Sequence, residues 1–213
     1  MLKPLISALS LIGDETPQRV SLIIDSFKKQ TYKNKELILI NNAENSYKAT
    51  RIPRIQDPEI KLIDLSMRYP AGIAKNHGLS FAQGDIITIY GQDHYHTRNR
   101  LLKQSQAIKS GIKGSFINSC HQISEYSGIS TITNSKGILL ESIMFNRLNG
   151  IPFGLDDKAE DLCCLSSLIA QDYQFCSLNE PELMIKLVGN IRKISANALI
   201  ADSVRRSIQK SFL

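Results

Sequence analysis

The sequence has no tryptophan, and phenylalanine and tyrosine bring its aromatic content to only 7%. It therefore lacks the interleaved aromatic side chains on which single-stranded nucleic acids stack, and we do not expect nucleic acid as a partner. Its apolar runs are short, as at residues 37–40, whereas a membrane-spanning helix needs roughly 20 apolar residues. Acidic residues are the minority charge: 26 Lys and Arg face 20 Asp and Glu, which gives a net charge of +6. That excess favours an anionic ligand or surface.

Cysteine is also scarce, and its spacing indicates free thiols. The four cysteines form no C-x-x-C pair; they are Cys120, Cys163, Cys164 and Cys176. Such thiols are typical of a reducing compartment, so we expect a cytoplasmic protein. The apolar stretch Leu5 to Ile12 is closed by Asp14 with no small-residue cleavage site after it, and we interpret it as a buried strand instead of a signal peptide.

The first 90 residues alternate between strand and helix patterns. Buried strands are predicted at Leu5–Ile12, Glu36–Ile40, Ile60–Leu65 and Asp85–Tyr90. Between them, Thr16 and Pro17 open a helix that continues through Phe27, and Ile73–Phe81 forms a second one. Strands that are apolar on both faces and separated by helices predict a mostly parallel sheet covered on both sides, an α/β fold. Ligands bind such sheets beyond the carboxyl ends of the strands, so we expect the site after the first, second and fourth strands.

The second half of the chain has a less regular pattern. We predict a helix capped by Thr97 and ending at Ile108, short β segments within 111–133, a helix from near Asp157 to Ala170, and a strand at Gln174–Leu178. From Leu183 onward the spacing of apolar residues predicts helix. The chain therefore divides into a domain at 1–190 and a basic amphipathic helix at 191–213. That helix could dock on its own domain or lie on an anionic membrane surface.

The densest group of ligand-type side chains follows the fourth predicted strand. Asp93 with His94 or His96 could hold a divalent cation, because alternate residues of an extended segment share a side. Two imidazoles would favour zinc or another transition metal, whereas one carboxylate with phosphate oxygens would favour magnesium or manganese. The alternative is a polar loop with exposed histidines.

An acidic group near residue 160 also has two interpretations. Asp157 and Glu160 have the D-x-x-E spacing of a capping box, and acids stabilise the first turn of a helix. The functional interpretation makes Asp161 a general base. The helix dipole would lower its pKa, and burial would oppose that effect.

Taken in order, these segments resemble family 2 glycosyltransferases of the GT-A type. Residues 25–34 followed by 36–42 are similar to the family's "ESLLAQTYKNFEIIVVDD". Residues 72–79 and 82–87 resemble its "G.ARN.G" and "A.GDYI" segments. Residues 91–94 stand where the family has "DADD", and residues 153–162 resemble "GFDE…ED". The likeness covers roughly residues 4 to 190.

The resemblance implies a GT-A type, mostly parallel nucleotide-binding sheet flanked by helices. It implies an inverting enzyme that transfers a sugar from a nucleoside-diphosphate sugar, UDP-linked by expectation, to a hydroxyl of a glycan or lipid-linked acceptor. A divalent cation, Mn²⁺ or Mg²⁺, would hold the diphosphate. By position Asp93 matches the metal ligand, Asp161 the base, and Asp156 and Glu160 the acceptor side. The residues matching nucleotide-contacting positions are Ser10, Asn41, Asn42, Glu44, Lys75 and Asn76.

The sequence departs from the family pattern at three positions within these motifs. Gly91 replaces the first aspartate of the metal motif, His94 replaces an acid that often follows it, and Asn41 replaces an aspartate that contacts the nucleotide. Asparagine still accepts hydrogen bonds, and one aspartate can suffice when phosphate oxygens complete the metal shell. Two hypotheses therefore stand: an active glycosyltransferase, and a binding module that kept the fold without turnover.

Overall fold

The structure is a computed structural model that describes residues 3–13, 17–43, 55–109, 111–124, 130–134, 139–148, 150, 152–155 and 160–188. Its helices are α1 (Pro17–Lys28), α2 (Ala71–Phe81), α3 (Arg100–Ala107) and α4 (Glu160–Ile169). Its strands are β1 (Ile6–Ile12), β2 (Lys35–Asn41), β3 (Ile60–Asp64), β4 (Ile86–Ile89), β5 (His94–His96), β6 (Gly114–Ile117), β7 (Ser119–Ser124), β8 (Ser130–Asn134), β9 (Met144–Asn146), β10 (Phe175–Leu178) and β11 (Met184–Val188). None of the helices in these ranges is long and apolar enough to cross a membrane.

The described strands form two sheets. The larger has seven strands in the order β10-β6-β9-β4-β1-β2-β3, and the smaller has four in the order β5-β11-β7-β8. In the larger sheet β1 pairs in parallel with β2 and β4, whereas β9 runs antiparallel to β4 and β6. The mostly parallel sheet that the sequence predicts is therefore confirmed, with one antiparallel strand inserted.

Apolar side chains cover both faces of the larger sheet. In β2, Leu37 and Leu39 face a core built with α1 and α3, while Ile38 and Ile40 face a core built with α2 and α4. All four side chains are fully buried. This alternation follows from the two-residue repeat of a strand, and it explains why an unbroken apolar run was needed here.

The expectation of helix from Leu183 onward is wrong for the described part of that segment. Pro181–Leu183 is a single 3₁₀ turn, and β11 then pairs with β5 and with β7. Ile185 and Leu187 alternate into a small apolar cluster with Leu22, which is a strand repeat and not a helical one. The predicted amphipathic helix at 191–213 lies outside the described residues.

The predicted cap of the third helix is also wrong in detail. α3 begins at Arg100, its N-cap residue is Asn99, and no side chain caps it. Thr97 contributes its backbone carbonyl, which accepts a hydrogen bond from the Arg100 amide at 3.1 Å. The helix at residues 157–170 is present as α4, although residues 156–159 are outside the described part.

Candidate active site

The carboxyl ends of β1, β2 and β4 meet at one edge of the larger sheet. Ile12 is in register with Asn41, and Leu9 with Ile89. Three parallel strands ending together place the segments that follow them side by side. This edge therefore carries Asn42 and the turn at Gly91, as the sequence predicted.

The two asparagines at the end of β2 brace the surrounding loops. The Asn41 side-chain amide donates to Asp64 at 2.8 Å, and its oxygen accepts from the Ala43 amide at 3.3 Å. Asn42 exchanges two hydrogen bonds with the backbone of Tyr69, at 2.7 and 2.8 Å. Both side chains are buried. Ser10 is fully buried within β1, and Glu44 and Asp156 lie outside the described residues.

Asp93 lies in the turn that precedes β5. Its backbone carbonyl accepts a hydrogen bond from the Leu187 amide at 2.8 Å, which ties the turn to β11. Its carboxylate, about half exposed, forms an ion pair with Arg19 of α1. The backbone of this turn is therefore fixed, while the carboxylate faces partly into solvent.

The two histidines of β5 are buried, so the exposed-loop interpretation is wrong. His94 is 2% exposed and His96 is fully buried. Burial, with Lys186 and Arg100 nearby, lowers the pKa of His94 to about 4. Burial also holds the pKa of His96 well below its ordinary value. Both rings are therefore neutral at physiological pH.

His96 belongs to a buried hydrogen-bond network centred on Arg100. The Arg100 guanidinium donates to His96 Nδ1 at 2.6 Å and to the Ile89 carbonyl at 2.8 Å. Arginine is always a donor, so Nδ1 accepts and the His96 proton resides on Nε2, which donates to the Gly91 carbonyl at 3.1 Å. Both ring nitrogens are engaged, and a metal site made of two imidazoles is not formed here. The network instead fixes the Gly91 turn.

A second cluster joins α2 to α4. Lys75 Nζ donates to Glu160 at 2.9 Å and to Asp161 at 2.7 Å. The three side chains are only 9 to 16% exposed. Burial raises the pKa of Asp161 above its ordinary value, while Lys75 opposes that rise and Glu160 and Glu141 add to it. The effect of burial on the pKa of Asp161 is thus larger than the opposing effect of Lys75. A raised pKa is what the sequence analysis requires of a general base at this position.

Close backbone packing holds these two helices together. The Asn76 side chain exchanges hydrogen bonds with the backbone of Phe153, at 3.0 and 3.3 Å. A Cβ on Gly72 would lie 1.5 Å from the Gly154 carbonyl oxygen and 3.0 Å from the Glu160 Cβ. Only glycine therefore fits at position 72 at this approach.

Comparison with known proteins shows the family of this chain. The sequence matches Glycosyl transferase family 2 over residues 15–152. The chain belongs to glycosyltransferase family 2. It is 30% identical over 103 residues to the uncharacterized glycosyltransferase YkcC of Bacillus subtilis (strain 168), a match that covers 47% of this chain and 31% of YkcC. Because the match spans about a third of that relative, what YkcC does as a whole protein is not carried over.

Solved glycosyltransferases of the GT-A type share the fold. The mannosyltransferase PcManGT of Pyrobaculum calidifontis, in complex with GDP-Man and Mn²⁺, has a TM-score of 0.62 at 16% identity, covering 99% of this chain and 65% of its own. TarS 1-349 of S. aureus, in complex with UDP-GlcNAc, also has a TM-score of 0.62, at 13% identity, covering 87% of this chain and 59% of its own. At these identities the likeness shows the GT-A fold of this glycosyltransferase.

A carboxylate that the sequence analysis missed lies between the two clusters of this glycosyltransferase. A Cβ on Gly91 would be 3.3 Å from the Glu141 Cβ. The negative charge of Glu141 also contributes to the raised pKa of Asp161. Glu141 thus connects the Gly91 turn with the Asp161 cluster. A signal was present, because Glu141 is the single charged residue between Ile138 and Phe145.

A cavity of about 580 Å³ lies along α2 on the side of Leu148 and Leu155. Asn76 contributes to its wall, but neither Asp93 nor Asp161 does. Its other walls come from Ile73, His77 and Arg147. The cavity is therefore separate from the carboxylates that the family resemblance assigns to chemistry.

Proposed function

We propose that this glycosyltransferase inverts configuration while it transfers a sugar from a nucleoside diphosphate to a hydroxyl of a glycan or lipid-linked acceptor. The observation that carries the proposal is Asp161, a nearly buried carboxylate at the start of α4 whose pKa is raised by burial. A general base is most effective when its pKa is closer to the working pH than that of a free carboxylate. Asp161 removes the proton from the acceptor hydroxyl as that oxygen attacks the anomeric carbon.

Lys75 and Glu160 prepare Asp161 for this role. The Lys75 ammonium donates 2.7 Å from the Asp161 carboxylate and fixes its orientation. Because Lys75 also donates to Glu160, its single charge is shared between two carboxylates. The Asp161 carboxylate can therefore accept a proton without leaving the ammonium unpaired. Glu160, one residue before the base, is assigned to the acceptor side together with Asp156.

The donor is assigned to the sheet edge. Asn41 ends β2 there and Asn42 follows it, and with Ser10, Glu44, Lys75 and Asn76 they make up the proposed nucleotide-binding set. In this structure the two asparagines order the loops that would surround a nucleotide. UDP is the proposed nucleoside diphosphate. GDP is the second candidate, since PcManGT was solved with GDP-Man.

The residues at the Gly91 turn fit a divalent cation. Asp93 provides carboxylate oxygens, which Mg²⁺ and Mn²⁺ prefer, and the missing side chain at Gly91 leaves a space, bordered by Glu141 and His94, that a Cβ would fill. In the described ranges, no three His, Cys, Asp or Glu side chains are grouped so as to hold a metal alone. A bound cation would neutralise the departing diphosphate. This chain's part is to hold the backbone of the Gly91 turn in place and to release Asp93 from Arg19.

The second candidate is a glycosyltransferase-like module that binds a ligand without turnover. The pairing of Asp93 with Arg19, together with glycine at position 91, favours it. Under that hypothesis Arg19 would permanently replace the cation.

We also propose that the protein is cytoplasmic and associates with the inner surface of the membrane through its excess positive charge. Its four cysteines are free, as expected of a reducing compartment.

Calorimetric titration with UDP and with GDP tests the proposal. Each titration is done on the parent protein with Mn²⁺, on the parent protein with a chelator in place of Mn²⁺, and on Asp93→Ala with Mn²⁺. We expect micromolar binding that needs the metal and is lost in the variant. Asp57→Ala is the matched control, because the Asp57 carboxylate also forms an ion pair, with Lys28, but precedes the start of β3 and lies outside the turn. If neither nucleotide binds with the metal present, the module without turnover is supported and the donor assignment is wrong.

A further inference from the structure

Two other side chains border the space at Gly91 closely. A Cβ built on Gly91 would lie 3.1 Å from His94 Nδ1, 3.3 Å from the Glu141 Cβ and 3.8 Å from its Cγ. These distances are equal to or shorter than ordinary van der Waals contacts. A side chain at position 91 and the Glu141 side chain would therefore need part of the same space. Gly91 stands where the resembled family has the first aspartate of its metal motif. Position 91 therefore carries no carboxylate, and the Glu141 side chain lies beside the same backbone.

Glu141 extends from a firmly held segment. It lies in the 3₁₀ turn Leu140–Ser142, and the following Ser142 is fully buried. Ser142 Oγ accepts from the Ile117 amide at 2.8 Å, and its carbonyl accepts from Gln104 at 2.8 Å. The Ile143 carbonyl accepts from the Ile89 amide at 3.0 Å, one residue before Tyr90 and two before Gly91. The Glu141 backbone is thereby fixed relative to the end of β4.

Among the described residues the Glu141 carboxylate forms no ion pair and no hydrogen bond. Its charge nevertheless raises the pKa of Asp161 and of Cys120. An acidic side chain that is held in place, half-buried and unpaired is a group available for a cationic ligand.

His94 provides a second, independent observation at the same place. Its ring is 2% exposed, and neither of its nitrogens has a hydrogen-bond partner within the described part of the chain. Nδ1 is directed at the space beside Gly91. Buried polar atoms are normally satisfied, so the unpartnered Nδ1 indicates that a polar group belongs in that space.

We propose that Glu141 supplies the carboxylate that Gly91 lacks, and that with Asp93 it binds the divalent cation on the donor diphosphate, His94 lining the same space. This inference rests on the proposed function. One or two carboxylates with substrate phosphate oxygens are a usual shell for Mg²⁺ and Mn²⁺. Because no three-residue ligand group is present among the described residues, the metal and the nucleotide should bind cooperatively.

The test measures binding, not turnover, on the full chain. Mn²⁺ is titrated by electron paramagnetic resonance with and without UDP, and UDP by calorimetry with Mn²⁺ and in chelator. Glu141→Gln should weaken Mn²⁺-dependent UDP binding by about tenfold or more while binding in chelator stays unchanged. Glu182→Gln is the matched control, because Glu182 also lies in a short 3₁₀ turn and should bind as the parent does.

A relocation variant separates ligation from folding. Gly91→Asp combined with Glu141→Gly returns the carboxylate to position 91 and should restore metal-dependent binding that Glu141→Gly alone loses. If Glu141→Gln binds Mn²⁺ and UDP like the parent while Asp93→Ala does not, the inference on Glu141 is overturned and the donor site stands. If the parent itself binds neither UDP nor GDP with Mn²⁺, the proposed function is overturned and the inference with it.

Discussion

Lys75 of α2 donates a 2.7 Å hydrogen bond to Asp161 of α4, across 86 residues of sequence. Glu160 shares the same ammonium at 2.9 Å. The segment that resembles the family's "G.ARN.G" motif is thereby joined to the segment that resembles its "ED" motif. The pairing gives Asp161 a fixed orientation and keeps its carboxylate next to a positive charge in a nearly buried environment.

Replacing Asp161 should remove turnover and spare donor binding. In Asp161→Asn the side chain keeps its size but cannot take a proton, and Lys75 retains Glu160 as a partner. We expect kcat to fall by about 10³-fold, within the range of a lost general base, with the Kd for UDP and Mn²⁺ little changed. Steady-state kinetics and calorimetry measure the two quantities. Asp172→Asn, an exposed change outside the site, is the control; unchanged kcat in Asp161→Asn would refute the assignment of the base.

The acid side of the pH profile should report the pKa of Asp161. Only the deprotonated carboxylate accepts a proton, and burial raises its pKa above the ordinary value of 3.8. Activity should therefore fall as the pH drops through that raised pKa. Lys75 lowers the pKa, so Lys75→Met should move the acid limb of kcat to higher pH. Lys28→Met, which removes a surface partner of Asp57, should leave the limb in place. A limb that does not move in Lys75→Met would contradict the role of Lys75.

Folding stability should fall in mild acid because His96, like His94, is buried with a lowered pKa. Its pKa in the folded protein lies well below the ordinary value of 6.5, so the unfolded chain takes up the proton first. The stabilising contribution is complete above pH 6.5 and is lost as the pH decreases below it, with a slope of up to about 1.4 kcal/mol per pH unit for one proton. Chemical denaturation at several pH values should show a smaller slope in His96→Gln. His77→Gln, which changes an exposed ring, should keep the parent slope. An identical slope in His96→Gln would show that His96 is not the group responsible.

A methyl group at position 72 should separate the two parts of the Asp161 cluster. The Cβ of alanine would overlap the Gly154 carbonyl, a backbone atom that cannot rotate away. We expect Gly72→Ala to lower the free energy of unfolding by about 2 kcal/mol or more and to reduce kcat as well, because Glu160 touches the same position. Denaturant titration measures the first effect. The comparison is Ser80→Ala, an exposed change on the same helix; equal stability of the two variants would contradict the packing argument.

The sequence predicted those features that depend on neighbouring residues. Val20, Ile23 and Phe27 have helical spacing and lie in α1, and the apolar run Leu37–Ile40 is the centre of β2. The sequence-based prediction was wrong where residues distant in sequence determine the structure. Met184–Val188 is a strand because β5 and β7 provide its hydrogen-bond partners. Glu141 was missed for the same reason, since its proximity to Gly91 spans 50 positions and leaves no periodic signal. The assignments of Asp93 and Asp161 stay predictions that the variants above test.

In the small sheet β11 lies between β5 and β7 but comes last in the chain. This position in the sequence determines an order of assembly. Asp93 is held through the Leu187 amide, and β5 pairs with β11. During synthesis the ribosome releases β1, β2, β3 and β4 long before residues 184–188 leave the exit tunnel. A nascent chain can therefore collapse its central sheet while the turn at Gly91 still lacks its last support. The proposed donor site should therefore be complete only when residues 184–188 have left the exit tunnel.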